Sequence, residues 1–128
     1  EELRAQVGAV RALDPVEEAF PHILHAEVSA MQARRDLGVE DPQVLDAIAT
    51  HTLAGPGLSS LSKILFIADY IEPGRTFPAA DDLRKAAARN LGEGFRACLR
   101  SKILHLVSGG LPVHPRMSQA WNQEALAG

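Results

Sequence analysis

Apolar residues along this chain recur at helical rather than strand spacing, and Pro, Gly and capping residues cut the pattern into segments. In "LDPVEEAF" Asp14 supplies an N-cap, Pro15 the first helical position and Glu17 the reciprocal capping-box carboxylate. Pro21 interrupts. "HILHAEVSAMQARRDLG" then carries Ile23, Leu24, Val28, Met31 and Leu37 at helical spacing to a stop at Gly38. "EDPQVLDAIATHT" repeats the Asp-Pro start at Asp41 and Pro42, with Val44, Leu45, Ile48 and His51 on neighbouring faces. After an "LAGPG" loop, Ser59 or Ser60 opens a helix expected to run to Pro73-Gly74. A longer helix, broken or continuous around Gly92 and Gly94, is expected from Asp81 and Asp82 to Gly109-Gly110, and "RMSQAWNQEAL" forms a terminal helix. Strand alternation and internal repeats are lacking. The pattern predicts an all-α fold, with residues 1–128 as a single helical domain.

One segment does not fit a plain amphipathic helix. In "KILFIADYIEPGR" the apolar residues Ile64, Leu65, Phe66, Ile67, Ala68, Tyr70 and Ile71 leave little polar circumference, which predicts burial on most sides. Asp69 stands in the middle of that run. A carboxylate buried there requires a paired cation, whether an Arg or a metal ion.

Composition narrows the functional classes. A net charge of −3 and a pI of 5.9 give no global basic field, which argues against a nucleic-acid polymer as partner. The lone Cys98 rules out an internal disulfide and fits a reducing cytoplasm. No apolar run approaches the roughly 20 residues of a membrane span. The chain starts Glu-Glu-Leu rather than with Met, which fits a piece of a longer polypeptide.

The candidate chemistry lies with histidine and acid. His22 and His25 stand at i, i+3, a spacing that brings both rings onto one helical face. His51 ends the following helix and Asp69 comes eighteen residues later. Two imidazoles and a carboxylate from separate helices suit zinc, iron, manganese or another divalent ion. The same residues also read as satisfied core histidines and an Arg-paired or capping aspartate, and their spacing matches no tight signature such as H-E-x-x-H. His105, near a helix end, and His114, before a Pro in a loop, are weaker candidates. Glu72 and Arg75 read either as a surface ion pair or, for Arg75, as a phosphate clamp.

The strings "HILHAEVSA", "DAIATHT", "LSKILFIADYIEPGRTFP" and "VHPRMSQAWN" occur in the order and spacing of a known family. From about residue 10 to 123 the chain resembles the YqeK-type HD-domain phosphohydrolases, bacterial symmetrical bis(5′-nucleosyl)-tetraphosphatases that cut diadenosine tetraphosphate into two ADP. "IADYIEPGR" is the most specific of these strings. The resemblance implies an HD-domain-like helical bundle, N-terminally truncated, of which this chain is the C-terminal two-thirds. It makes His25, His51 and Asp69 metal ligands, gives Asp69 and Arg75 catalytic roles and turns Thr52 and Arg75 toward substrate phosphates. The cofactor implied is a divalent metal, iron foremost, with manganese, cobalt or magnesium as alternatives, in a two-metal site.

Departures from the family pattern are specific. No His-Asp dipeptide is present and no His precedes His22, so the pair that names the family falls outside these residues. Where the family has "HTTG" this chain has "HTLA", with Leu53 and Ala54 in the last two places, and Ser29 replaces a common Gly. The implied partner is a dinucleoside polyphosphate, and an apolar face left uncovered suits a homodimer. His25, His51 and Asp69 are expected to converge, with His22 turned to the surface or a cap. With an incomplete ligand set, residues 1–128 alone are expected to show negligible hydrolysis. The rival reading is a metal-free helical remnant or interaction module. Residues upstream of Glu1 that supply the missing ligands would decide for the enzyme; some relatives look fused to a nicotinate-nucleotide adenylyltransferase.

Overall fold

Capping residues set the helix boundaries. In the computed structural model, which describes residues 1–128, the elements are α1 (Glu2–Gly8), α2 (Pro15–Ala19), a 3-10 turn (Pro21–Leu24), α3 (His25–Leu37), α4 (Pro42–Thr50), α5 (Ser60–Tyr70), α6 (Ala80–Arg89), α7 (Leu91–Ser108) and α8 (Pro115–Ala127). Asp14 caps α2 by accepting from the Val16 and Glu17 amides, and Glu17 accepts back from the Asp14 amide at 3.0 Å, closing the capping box. Asp41 caps α4 by accepting the Gln43 amide and Ser59 caps α5 by accepting the Ser62 amide. Gly38 ends α3 at φ +68, a left-handed conformation that Gly adopts without strain.

The long C-terminal helix is broken, but not at its glycines. Asn90 leaves helical geometry with φ −163 and ψ 134, and its side chain accepts the Glu93 amide to start α7. Gly94 has a packing role instead. A Cβ there would lie 2.6 Å from the Ala87 Cα, so the bare backbone lets α7 press directly against α6.

Two apolar clusters result. The larger gathers Phe66 and Ile67 of α5, Leu83 of α6, Phe95, Cys98 and Leu99 of α7, and Met117 and Ala120 of α8. The smaller joins Val7 of α1 to Leu24 and Val28, which accounts for a first helix that the sequence pattern did not announce. The reading of α5 is corrected on two points. It ends at Tyr70, and it is not buried on most sides: Ile64 is 52% and Leu61 41% exposed. The reason is geometric, since α5 packs on α4 and α7 and no element lies over its remaining face.

Candidate metal centre

α3 and α4 pack together, and this brings His25 at the start of one to His51 at the end of the other. Their ring centroids lie 5.6 Å apart, edge to face. Each ring is oriented by its own backbone: His25 Nδ1 is 2.9 Å from the His22 carbonyl and His51 Nδ1 is 2.6 Å from the Ile48 carbonyl. A carbonyl oxygen can only accept, so Nδ1 carries the proton in both rings and both Nε2 lone pairs are left open. A backbone carbonyl that fixes the tautomer in this way is the usual arrangement of metal-ligating histidine. His22 is exposed, its ring centroid 6.2 Å from that of Phe20, and it is His25, not His22, that meets His51.

Asp69 is half-buried near the end of α5, and its carboxylate makes no hydrogen bond or ion pair within the chain. The Arg-paired alternative therefore does not hold; Arg75 reaches only the Asp69 backbone carbonyl, at 3.3 Å. His25, His51 and Asp69 are not a set whose ligand atoms all lie within 4.8 Å of one another. The structure brings His25 and His51 together and places Asp69 near the end of α5, the helix that packs on α4. A divalent cation fits these groups as donors, two imidazole lone pairs and a free carboxylate.

Arg75 lies beyond the end of α5, half-exposed, with its Nε 3.8 Å from Glu72. Arg84, overlooked in the sequence, fixes that turn by donating to the carbonyls of Ile71, Glu72 and Arg75 at 3.0, 2.9 and 2.7 Å. The turn after His51 holds two further groups. Thr52 Oγ1 is buried without a hydrogen-bond partner, and the Thr52 carbonyl accepts from Lys102 Nζ of α7. Burial is the main cause that pushes the Lys102 ammonium down to about 8. Ala54, where the family pattern has Gly, is fully buried at φ +60, so the turn keeps a left-handed residue despite the substitution.

The set of three is Asp14, Glu17 and His114. His114, taken from the sequence as a loop residue, caps α8 and is only 4% exposed. Its Nδ1 accepts the Arg116 amide at 3.0 Å, so Nε2 carries the proton, directed at Glu17 (3.0 Å) and Asp14 (3.1 Å). Glu17 also takes both arms of the Arg11 guanidinium, at 2.9 and 2.7 Å, and Arg11 continues to Glu27. The Arg11 hydrogen bonds hold the Glu17 carboxyl down at about 2 against the opposing effect of burial. A cation here would have to displace Arg11. The cluster is a staple between α2 and α8 whose members are already satisfied.

The helical order and the paired histidines agree with an HD-superfamily hydrolase fold, the class that comparison with a solved structure shows. No family model matches the chain. It is 37% identical over 102 residues, 80% of its length and 55% of the relative's, to the symmetrical bis(5′-nucleosyl)-tetraphosphatase of Bacillus subtilis. It is 39% identical over 101 residues, 79% of its length and 54% of the relative's, to the enzyme of that name from Halalkalibacterium halodurans. A solved structure from Clostridium acetobutylicum, a predicted HD superfamily hydrolase involved in NAD metabolism, aligns with TM-score 0.89 and 31% identity, covering 99% of this chain and 66% of that one. The chain belongs to the YqeK-type HD-domain phosphohydrolases. It spans about half the length of the curated relatives it matches.

Proposed function

We propose that the chain carries part of the active site of a metal-dependent phosphohydrolase that cleaves diadenosine tetraphosphate symmetrically to two ADP. The observation that carries this reading is the pair His25 and His51, each with Nδ1 tied to a carbonyl and Nε2 open. The name shared by the relatives, symmetrical bis(5′-nucleosyl)-tetraphosphatase, supports a dinucleoside tetraphosphate as substrate, and the two ADP follow from the resemblance. His25, His51 and Asp69 would hold the cation, iron foremost. When bound, such a cation supplies a nucleophile at neutral pH and positive charge for the phosphoryl oxygens.

The chain's own residues do the rest. Arg75 is loosely held, at 3.3 Å from a carbonyl and 3.8 Å from Glu72, so its guanidinium is free for a bidentate grip on phosphate. The buried Thr52 hydroxyl lacks a partner that a phosphate oxygen would provide. The missing His-Asp pair belongs, on this reading, to residues outside 1–128, and turnover by the chain alone stays negligible. A cytoplasmic setting and residues 1–128 as one helical unit are part of the same reading.

Asp69→Asn tests it. Because the carboxylate has no protein partner to lose, the metal-free variant should unfold within about 0.5 kcal/mol of the wild type or be slightly more stable. Divalent metal affinity, read by competition with a fluorescent chelator, should fall roughly 10- to 100-fold. Unchanged metal affinity would refute the ligand role. In a polypeptide that also contains the His-Asp pair, ADP should be the sole nucleotide product; ATP with AMP would refute symmetrical cleavage. The absent His-Asp dipeptide favours one second reading, a helical module that binds nucleotide without cleaving it.

A further inference from the structure

The turn that follows α5 meets two arginines in opposite conditions, one fully engaged and one nearly free. Residues 72 to 75 close on themselves, the Arg75 amide donating to the Glu72 carbonyl at 2.9 Å. The Glu72 carboxylate accepts the Gly74 amide at 3.0 Å, and a Cβ on Gly74 would lie 2.7 Å from one of its oxygens. These bonds shape the turn but run within it, so they do not fix where it points. The hydrogen bonds that tie it to another helix come from Arg84 of α6.

Arg84 commits four of its five N–H donors. Nε donates to the Ile71 carbonyl, Nη2 to the carbonyls of Glu72 and Arg75, and Nη1 to Asp81 at 2.9 Å. Ile71 is the C-cap of α5, so the guanidinium also meets the carbonyl end of that helix, where a cation is favoured. Its base is firm: Leu83 beside it is buried in the larger apolar cluster, and Ala87, one turn on, is pressed against the bare backbone of Gly94. Arg75 stands in contrast, with one 3.3 Å contact to the Asp69 carbonyl and its Nε 3.8 Å from Glu72. A lysine could not replace Arg84, because an ammonium concentrates its donors on one atom and lacks the planar spread that meets three carbonyls at once.

We propose that Arg84 is a positioning residue for phosphate binding: it orders the turn before any ligand arrives and so presents Arg75 beside Asp69. The proposal rests on the reading of Arg75 as a phosphate clamp and adds a residue on another helix whose own donors are committed to the fold. What Arg84 contributes is preorganisation. A loose turn would have to lose its freedom on binding, and that loss weakens the complex.

The test is binding of inorganic triphosphate to the whole chain without metal, followed by amide NMR, with backbone relaxation measured on the free protein. The Gly74 and Arg75 amides should be as rigid as a helix in the free wild type, with order parameters of about 0.85, and fall below about 0.6 in Arg84→Lys. Arg75→Ala should weaken triphosphate about tenfold. Arg84→Lys keeps the positive charge and should still weaken it about fivefold. The double variant should match Arg75→Ala within about twofold, since a residue that acts through Arg75 adds nothing once Arg75 is gone. Unshifted amides away from the turn check folding, and the wild-type order parameters stand as a test even if Arg84→Lys fails to fold. A mobile wild-type turn, wild-type affinity in Arg84→Lys, or losses that multiply in the double variant would overturn the role of Arg84 and leave the clamp in place. Triphosphate binding that ignores Arg75→Ala, or none at all, overturns the clamp and the proposal with it.

Discussion

Glu17→Gln changes one atom and should remove much of the staple between α2 and α8. Each Glu17 oxygen faces donors only: Oε1 meets Arg11 Nη1 and the Asp14 amide, and Oε2 meets Arg11 Nη2 and His114 Nε2. A glutamine amide group in either orientation therefore sets N–H against N–H on one side. Two independent estimates agree on the magnitude. The depression of the carboxyl from 4.5 to about 2 corresponds to about 3 kcal/mol of stability at neutral pH. Removing one partner of a buried ion pair costs roughly 3–5 kcal/mol. Glu27 still holds Arg11, at 3.0 and 2.8 Å, which favours the lower figure.

The pH dependence separates this from a simple packing loss. Because the folded carboxyl is held below its unfolded value, its contribution is complete above about pH 4.5 and disappears as pH falls through about 2. Urea melts of wild type and variant across pH 7 to 3 should give a difference of about 3 kcal/mol at the top, shrinking to roughly half by pH 3. A loss under about 1 kcal/mol at pH 7, or a difference that does not change with pH, would refute the reasoning.

Two further substitutions test packing and charge. Gly94→Ala improves helix propensity by about 1 kcal/mol, yet it puts a Cβ 2.6 Å from the Ala87 Cα, and a net loss of about 1–3 kcal/mol is expected in chemical denaturation. A net gain would mean that α6 and α7 separate freely. Lys102→Met should stabilise the chain by about 2 kcal/mol at pH 7, about 3 from relieving a desolvated ammonium less about 1 for the orphaned Thr52 carbonyl. Since the folded ammonium titrates at about 8 against 10.5 unfolded, that advantage should fade between pH 8 and 10.5; a destabilised variant with no pH dependence would refute it.

Much of the fold was legible because its instructions are local. Asp14, Asp41 and Ser59 cap amides two or three residues ahead, and Gly38 stops its helix within one turn, so these signals survive without tertiary context. Asn90 was hidden by two nearby glycines that drew attention as breakers, although Gly94 serves interhelix contact. The bare pattern of α5 overstated its burial because periodicity records how apolar a face is, and not whether another element covers it. His25 and His51 were candidates by residue type and the resemblance chose them as ligands, but only coordinates could show that both present an open Nε2. The burial of His114 against Glu17 and the contact of Lys102 were missed for another reason. The His114 bond to Glu17 spans 97 residues and the Lys102 bond to Thr52 spans 50, so no sequence window contains either pair.

Those long-range bonds have a common location. Val16 precedes Glu17 and Met117 follows His114 by less than one turn, and both line a cavity of about 360 Å³ that His25 also lines. The 3-10 turn that begins just after α2 carries Ile23 into the same wall and delivers His25 to His51. The staple thus holds two walls of the cavity at a fixed separation, and the same segment aims one of the paired imidazoles. Stability and site geometry are not independent here, since loosening Glu17 frees α2 to move relative to α8 and to the start of α3. A substitution remote from the histidines, such as Glu17→Gln, should therefore weaken divalent metal affinity as well as stability, whereas Asp69→Asn should weaken metal affinity and leave stability unchanged. A Glu17→Gln variant that loses stability and keeps full metal affinity would refute the coupling of the staple to the site.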